Sequence, residues 1–309
     1  MPVIGSFMPE VSPVIAAVFA SYNRREIALE CVRRLRSQTR PPEMVVIADN
    51  ASSDGSAEAL RALDWNAVEV LETGGNFGNA GAVQRAMDHA FAKGADAVWI
   101  LDDDSWPRAG ALAAMLEGWN PDVVCHPLQE DPKTGRFTWP LQVVASEGPA
   151  KLVWEAGELP AGDRVRSRGV WTGALISKRI REATGPVNGD LFIRGEDEEY
   201  PWRIERAGFS TEAVVAAVMD HPGPPEMVRW RLLGKNLMLE RGLVDWKLYY
   251  KVRNMVWLKR RQSGRLAALL MALAYLVGIA RVDGAHRLPL LGLAIRDGWQ
   301  GRLGRNPRW

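Results

Sequence analysis

Between residues 14 and 119 a short apolar run is followed four times by a segment whose apolar positions have helical spacing. VIAAVFA precedes REIALECVRRLRSQ, MVVIADN precedes SSDGSAEALRAL, VEVLETG precedes GNAGAVQRAMDHAFAKG, and AVWILDDD precedes PRAGALAAMLEGW. Apolar runs of this length read as buried strands and the intervening segments as amphipathic helices, so the chain is an α/β protein with a largely parallel sheet covered by helices. In such sheets ligands gather at the carboxyl ends of the strands. The polar residues stand at those ends: Ser21, Tyr22 and Asn23, then Asp49 and Asn50, then Gly74, Gly75 and Asn76, then Asp102, Asp103 and Asp104.

The triplet Asp102–Asp104 needs an explanation, because adjacent carboxylates repel and charge beside a low-dielectric core is costly. A solvated turn is one solution and a bound divalent cation is the other. GGNFGNAG lacks the GxGxxG spacing and follows the third strand, which disfavours a dehydrogenase, and no GxxxxGK[ST] occurs. A nucleotide could still be held by Asp49 and the glycine-rich backbone. The glycines also fit a tight strand-to-helix turn with no ligand. Trp139 and Trp171 could stack on a sugar, although single tryptophans are more often core. FIRGEDEEYPWRIERAGF predicts a strand end and then, after Gly195, a helix with four acids in its first turn. The helix dipole accounts for Glu198 and Glu199 and less readily for four acids in succession.

The formal net charge of +2 conceals a division at HPGPPEM, residues 221–227. Residues 228–309 carry 17 Lys and Arg against 4 Asp and Glu, a net +13, which leaves −11 for residues 1–227. Cys31 and Cys125 have no metal-site spacing and read as buried apolar residues, with no disulfide framework. Residues 1–19 lack a basic leader, so a reducing, cytoplasmic setting is expected. The basic part predicts helices over RWRLLGKNLMLERG, DWKLYYKVRNMVWLKRRQSG and RLAALLMALAYLVGIARV. The uncharged run from Leu266 to Ala280 is 15 residues, against about 20 for a spanning helix. With KRRQSGR before it and Arg281 after it, it suits a helix at a membrane surface, where cations meet anionic head groups. A basic bundle packed on the first part, or a dimer interface, is the alternative. No nucleic-acid-binding motif appears.

ASYNRRE, VVIADNASSDGS, GGNFGNAG, WILDDDSWP and GEDEEYPWRIERAGF, in that order, resemble the inverting family-2 glycosyltransferases of GT-A fold, over roughly residues 13 to 225. Within that family GNFGNAG, the triplet, LFIRGEDEEY and a following His are most similar to the bacterial galactofuranosyltransferases that initiate mycobacterial-type galactan. YYKVRN and IRDGWQGRLG resemble the ends of these enzymes. The resemblance implies a GT-A catalytic domain, Rossmann-like with a mostly parallel sheet flanked by helices, over residues 1–222, and a basic, helical, membrane-associated region over 223–309. It implies Asp102, Asp104 and His221 as ligands of Mn²⁺ or Mg²⁺, with Asp102 and Asp103 also facing the donor, and Asp197 as general base with Glu196 the runner-up. Ser21, Asn23 and Asp49 would hold the nucleotide. Asn76, Gly78 and Gly81 would line the donor pocket, and Trp171 and Asp190 would face donor or acceptor.

The expected partners are a nucleotide-sugar donor, UDP-galactofuranose, a polyprenyl-diphosphate-linked glycan acceptor and the cytoplasmic membrane face; a homo-oligomer stays open. Related rhamnosyltransferases share the motifs, which leaves dTDP-rhamnose as an alternative donor. A nucleotidyltransferase would normally carry a Gly-rich, Lys/Arg-bearing loop after its first strand, and ASYNRRE is not one. A non-catalytic membrane scaffold is disfavoured by the intact Asp104, Asp197 and His221.

Overall fold

The computed structural model describes residues 12–144, 150–223, 227–232 and 235–309. The leader reading of residues 1–19 falls largely on residues 1–11, and the centre of HPGPPEM on 224–226; both stretches lie outside the described residues.

The four βα units form as expected. They are β1 (Ile15–Ser21) with α1 (Arg25–Arg36), β2 (Met44–Asp49) with α2 (Ser56–Arg61), β3 (Val68–Glu72) with α3 (Gly78–Ala92), and β4 (Ala97–Ile100), after which come a short β5 (Trp106–Pro107) and α4 (Ala111–Leu116). The four strands lie in the order β3-β2-β1-β4, every pair parallel. Alternation along them fills two layers. Ala16, Val18, Val46, Val98 and Ile100 pack with Val83 and Met87 of α3 on one face. Ile15, Phe19, Val45, Ile47 and Trp99 pack with Cys31 and Leu35 of α1 and Leu112 of α4 on the other. Burial on both faces explains why these strands read as continuous apolar runs. Both cysteines are buried and free.

Beyond β4 the sheet is mixed. β6 (Val123–Glu130), β7 (Leu141–Val143), β8 (Lys151–Val153), β9 (Arg164–Arg168), β10 (Leu175–Ser177) and β11 (Ser210–Asp220) extend it, with β10 antiparallel between β4 and β6, and β11 parallel to β6. α5 (Lys178–Thr184) and α6 (Glu196–Arg206) lie between β10 and β11 in the chain. The strand end expected before Gly195 is absent: a 3₁₀ turn spans Gly189–Leu191, and Phe192 and Arg194 then take positive φ.

RWRLLGKNLMLERG, expected as a helix, is instead an antiparallel hairpin of β12 (Met227–Leu232) and β13 (Lys235–Glu240). Short apolar runs do not discriminate helix from strand by period, and the glycine at 234 between the two segments weakens a helix. The remaining two expected helices are present as α7 (Asp245–Val282), broken at Gly264 where φ is 87° and ψ 179°. α8 (Leu288–Gln300) follows and packs against α7 through Leu291 and Ala294, with Ala272, Tyr275 and Ile279 in the same cluster. On α7, Leu266, Leu269, Leu270, Leu273 and Val277 stay exposed. By length and composition α7 would suffice to cross a membrane, with a mean hydropathy of 1.8 in its apolar window.

Candidate active site

The carboxyl ends of β1 and β4, the start of α6 and the first turns of α7 enclose a cavity of about 1260 Å³. Ser21, Asn76, Gly78, Asp102, Asp103, Asp104, Trp171, His221 and Asp197 line it, as do Glu196 and Trp139. Asn23, Asp49, Gly81 and Asp190 are not among the lining residues. Asn23 is spent on loop structure, its Oδ1 accepting from the Ser53 amide at 2.7 Å. Asp190 borders a separate, smaller cavity with Glu199 and Arg203.

At the rim of β4, one ligand atom each from Asp102, Asp104 and His221 falls within a sphere where all lie within 4.8 Å of one another. His221 arrives from the end of β11, more than a hundred residues further along the chain, and its Nδ1 lies 2.8 Å from the Pro222 carbonyl, leaving Nε2 as the ring nitrogen without that contact. Asp102 accepts a 2.6 Å hydrogen bond from Thr172 Oγ1. Burial nonetheless raises the Asp102 pKa, and the Asp104 and Asp197 charges push the same way, against Thr172 and His221. A divalent cation would relieve this penalty, and two carboxylates with an imidazole are a donor set suited to Mn²⁺ or Mg²⁺. The residues present therefore fit such an ion.

Asp103 is held differently. Burial pushes its carboxyl up to about 7 while Arg24 opposes the shift. Arg24 reaches Asp103 at 2.5 Å and Asp104 at 2.8 Å, so one guanidinium from the β1–α1 loop ties two carboxylates of the triplet together. Arg24 and Thr172 were both missed as site residues. Arg24 sits in the polar rim segment SYNRR and was legible in principle; Thr172 is brought to Asp102 by tertiary packing alone.

Ser21 and Asp49 are register partners across β1 and β2. Ser21 Oγ and Asp49 Oδ1 are buried with no hydrogen-bond partner among the described residues, while Asp49 Oδ2 accepts from the Ser52 amide at 3.0 Å. Two such orphans side by side suit a ligand with donors and acceptors of its own, as a nucleoside has. The amide of Asn50 also lines the cavity, bonded to the Phe77 amide and the Gly78 carbonyl. Gly78 has φ of 67°, and a Cβ there would collide with the Phe192 carbonyl. The close approach of α3 to the segment before α6 thus requires glycine. At Gly81 a Cβ would come within 2.9 Å of Phe77, so that glycine serves helix packing.

Across the cavity, α6 starts with Glu196 and Asp197. Asp197 is exposed, and its Oδ1 accepts from the Gly195 amide at 2.9 Å. Glu196 is buried; Oε1 accepts from Asn79 at 3.0 Å and Oε2 has no partner among the described residues. Burial, reinforced by Asp197, pushes Glu196 up to about 8. Burial thus favours the protonated form of Glu196, whereas Asp197 and Glu198 stand exposed on this face. Trp171 is buried with its Nε1 unpartnered among the described residues, edge-on to Tyr200 at 6.2 Å. Trp139 is 44% exposed at the cavity wall.

A parallel α/β sheet that delivers an Asp-x-Asp pair and an imidazole to its rim, facing an acidic helix start, is the architecture of a GT-A glycosyltransferase. The chain belongs to glycosyl transferase family 2, whose model matches residues 17–180. It is 31% identical over 220 residues to galactofuranosyltransferase GlfT1 of Mycobacterium tuberculosis, across 67% of this chain and 70% of that one. It is 30% identical over 244 residues to the N-acetylglucosaminyl-diphospho-decaprenol L-rhamnosyltransferase of the same organism, across 69% of this chain and 76% of the other. The fold is also that of a mannosyltransferase from Pyrobaculum calidifontis solved with GDP-Man and Mn²⁺, with a TM-score of 0.56 and 16% identity over 95% of this chain and 89% of that structure.

Proposed function

We propose that this chain is an inverting, divalent-metal-dependent hexosyltransferase. It moves galactofuranose from UDP-galactofuranose to a polyprenyl-diphosphate-linked glycan at the cytoplasmic membrane face, in cell-wall polysaccharide synthesis. The observation that carries the reading is the grouping of Asp102, Asp104 and His221 within 4.8 Å on the wall of one cavity that Asp197 also lines. The likeness to the mycobacterial galactofuranosyltransferase supports the donor, and the diphospho-decaprenol in the name of the rhamnosyltransferase relative supports the acceptor class. The latter likeness also keeps dTDP-rhamnose as a second donor reading.

In this mechanism Asp102, Asp104 and His221 would hold Mn²⁺ or Mg²⁺, which when bound would supply charge stabilisation to a nucleoside diphosphate leaving group. The Ser21 edge of the cavity, backed by the buried Asp49, receives the nucleoside, and the backbone around Asn76 and Gly78 shapes the donor pocket. Asp197 accepts the proton of the acceptor hydroxyl as its oxygen bonds to the anomeric carbon and the bond from that carbon to the phosphate oxygen breaks. Attack from the face opposite the leaving group inverts the configuration. Glu196, whose burial favours its protonated form, is less suited to take that proton.

The basic part supports peripheral attachment. Beyond the Gly264 break, α7 has 18 residues to Val282, about 27 Å of helix, with one face packed on α8 and the other exposing Leu266, Leu269, Leu270, Leu273 and Val277. That geometry suits a helix lying in the head-group region with its leucine face inward. The test is turnover of a panel of sugar nucleotides by the full chain with MnCl₂ and a prenyl-diphosphate-linked glycan, with and without EDTA. Transfer from UDP-galactofuranose that EDTA abolishes is expected; transfer that survives EDTA refutes the metal role, and transfer from dTDP-rhamnose alone selects the second donor. Leu269→Glu with Leu273→Glu should reduce co-sedimentation with anionic vesicles, and full retention would refute the attachment face.

A further inference from the structure

The segment that launches α6 is not held by its own secondary structure. Phe192, Arg194 and Gly195 have φ of 66°, 68° and 112°, and the first two carry a Cβ that disfavours this region. The carbonyls of Leu191 and Ile193 accept from Asn254 Nδ2 at 2.9 and 3.1 Å, and the Arg194 carbonyl accepts from the same nitrogen. Arg253 donates from Nε to Asn254 Oδ1 at 2.8 Å, which turns both amide hydrogens toward the segment. The same guanidinium donates to Leu191 O at 3.0 Å and to Gly304 O at 2.6 Å, and the Gly304 amide donates to Asp190 O at 2.6 Å.

Both side chains are buried, Asn254 at 0% and Arg253 at 1% exposure. The Arg253 side chain donates to carbonyls and to Asn254, with the Tyr249 and Tyr250 rings beside it, and among the described residues no carboxylate is hydrogen-bonded to its charge. Two apolar residues would dock this helix at lower cost. The contact is as close as it can be: a Cβ on Gly195 would stand 3.1 Å from Asn254 Cβ. Asn254 does not line the cavity, whereas Arg194, Gly195, Glu196 and Asp197 do. The last link is the Gly195 amide, which donates to Asp197 Oδ1 at 2.9 Å.

We propose that Asn254, oriented by Arg253, is a positioning residue for Asp197: it holds the Leu191–Gly195 backbone in the strained path that aims the carboxylate into the cavity. The YYKVRN stretch of α7 is thereby part of the catalytic apparatus, although it lies in the basic segment that the sequence assigns to membrane attachment. This rests on the reading of Asp197 as base.

The experiment uses the full chain with UDP-galactofuranose, MnCl₂ and a prenyl-diphosphate-linked glycan, and compares Asn254→Ala, Asn254→Asp, Asp197→Ala and the Asn254→Ala/Asp197→Ala pair. Asn254→Asp keeps the shape and the bond from Arg253 while removing the N–H donors. Both Asn254 variants should lose about 100-fold in kcat with the donor KM and the affinity for UDP with Mn²⁺ kept within twofold. Amide hydrogen exchange should quicken over residues 190–197 alone, and Asn254→Ala should cost nothing further once Asp197 is Ala. A kcat within threefold of wild type in Asn254→Asp, a parallel fall in UDP binding, or multiplying losses in the pair would overturn the proposal. Wild-type turnover in Asp197→Ala would sink the base reading instead, and the exchange pattern would then still judge the hold of Asn254 on the segment.

Discussion

Asp102–Asp104 and Glu196–Glu198 are both runs of acids at the end of an element facing one cavity, yet the fold equips them differently. In the first run each carboxylate meets a dedicated partner from elsewhere in the chain: Thr172 for Asp102, Arg24 for Asp103 and Asp104, with His221 completing a group of three donors. In the second, Glu196 is buried and half satisfied, and Asp197 bonds its own cap and no other group among the described residues, while the next acid, Glu199, is paired with Arg203 at 2.8 Å. A rigid, converging donor set suits a cation, which needs several ligands at fixed distance. A solvent-reachable carboxylate with few fixed partners suits a proton, which needs one acceptor with freedom to approach. The difference teaches that composition alone does not assign roles to acids; the partners do.

Substitutions can break this contrast. The largest effect should come from Asp197→Asn, which is expected to lower turnover about 10³-fold while leaving the thermal shift produced by UDP with Mn²⁺ intact. Loss of that shift would show the two clusters to be one functional unit. Next, Asp104→Asn should weaken Mn²⁺-dependent UDP binding by about 100-fold, read by calorimetry; unchanged affinity would remove Asp104 from the cation site. Thr172→Val, which strips the hydrogen bond that orients Asp102, should cost about tenfold in the same titration.

The smallest effect concerns stability. Glu196 has its folded-state pKa raised from 4.5 to about 8 by burial, so the folded state binds the extra proton between those values. Stability is therefore lost as pH rises from about 4.5 to 8. Glu196→Gln, which keeps the acceptor for Asn79, removes that loss: its unfolding free energy in EDTA should match wild type at pH 4 and exceed it increasingly up to pH 8, by about 1–3 kcal/mol at the plateau. An advantage that shrinks as pH rises would reverse the sign of the argument.

How far the sequence could be read depended on the range of the interaction. The alternation of apolar runs and amphipathic segments foretold β1 to β4 with their helices, because strand burial and helix amphipathicity are local patterns. The Asp102–Asp104 triplet announced a charge problem for the same reason. The hairpin at 227–240 was misread as helix, since its pairing partner, not its own periodicity, decides its state. The expected nucleotide residue Asp49 is buried beneath the rim instead of lining the cavity, and the neighbouring Asn50, expected at the rim but given no binding role, does line it.

The sequence by itself determined the layered α/β architecture, the polar rim and the opposite charges of the two parts, because these follow from side-chain type and spacing along neighbouring residues. Only the tertiary structure decided which acids converge with His221 and which stands open on the cavity wall. Asp102 meets Thr172 across 70 residues, and Asn254 meets the Leu191 carbonyl across 63. Contacts at such separations are set by how sheet and helices pack, and burial then shifts protonation in ways that no local pattern carries.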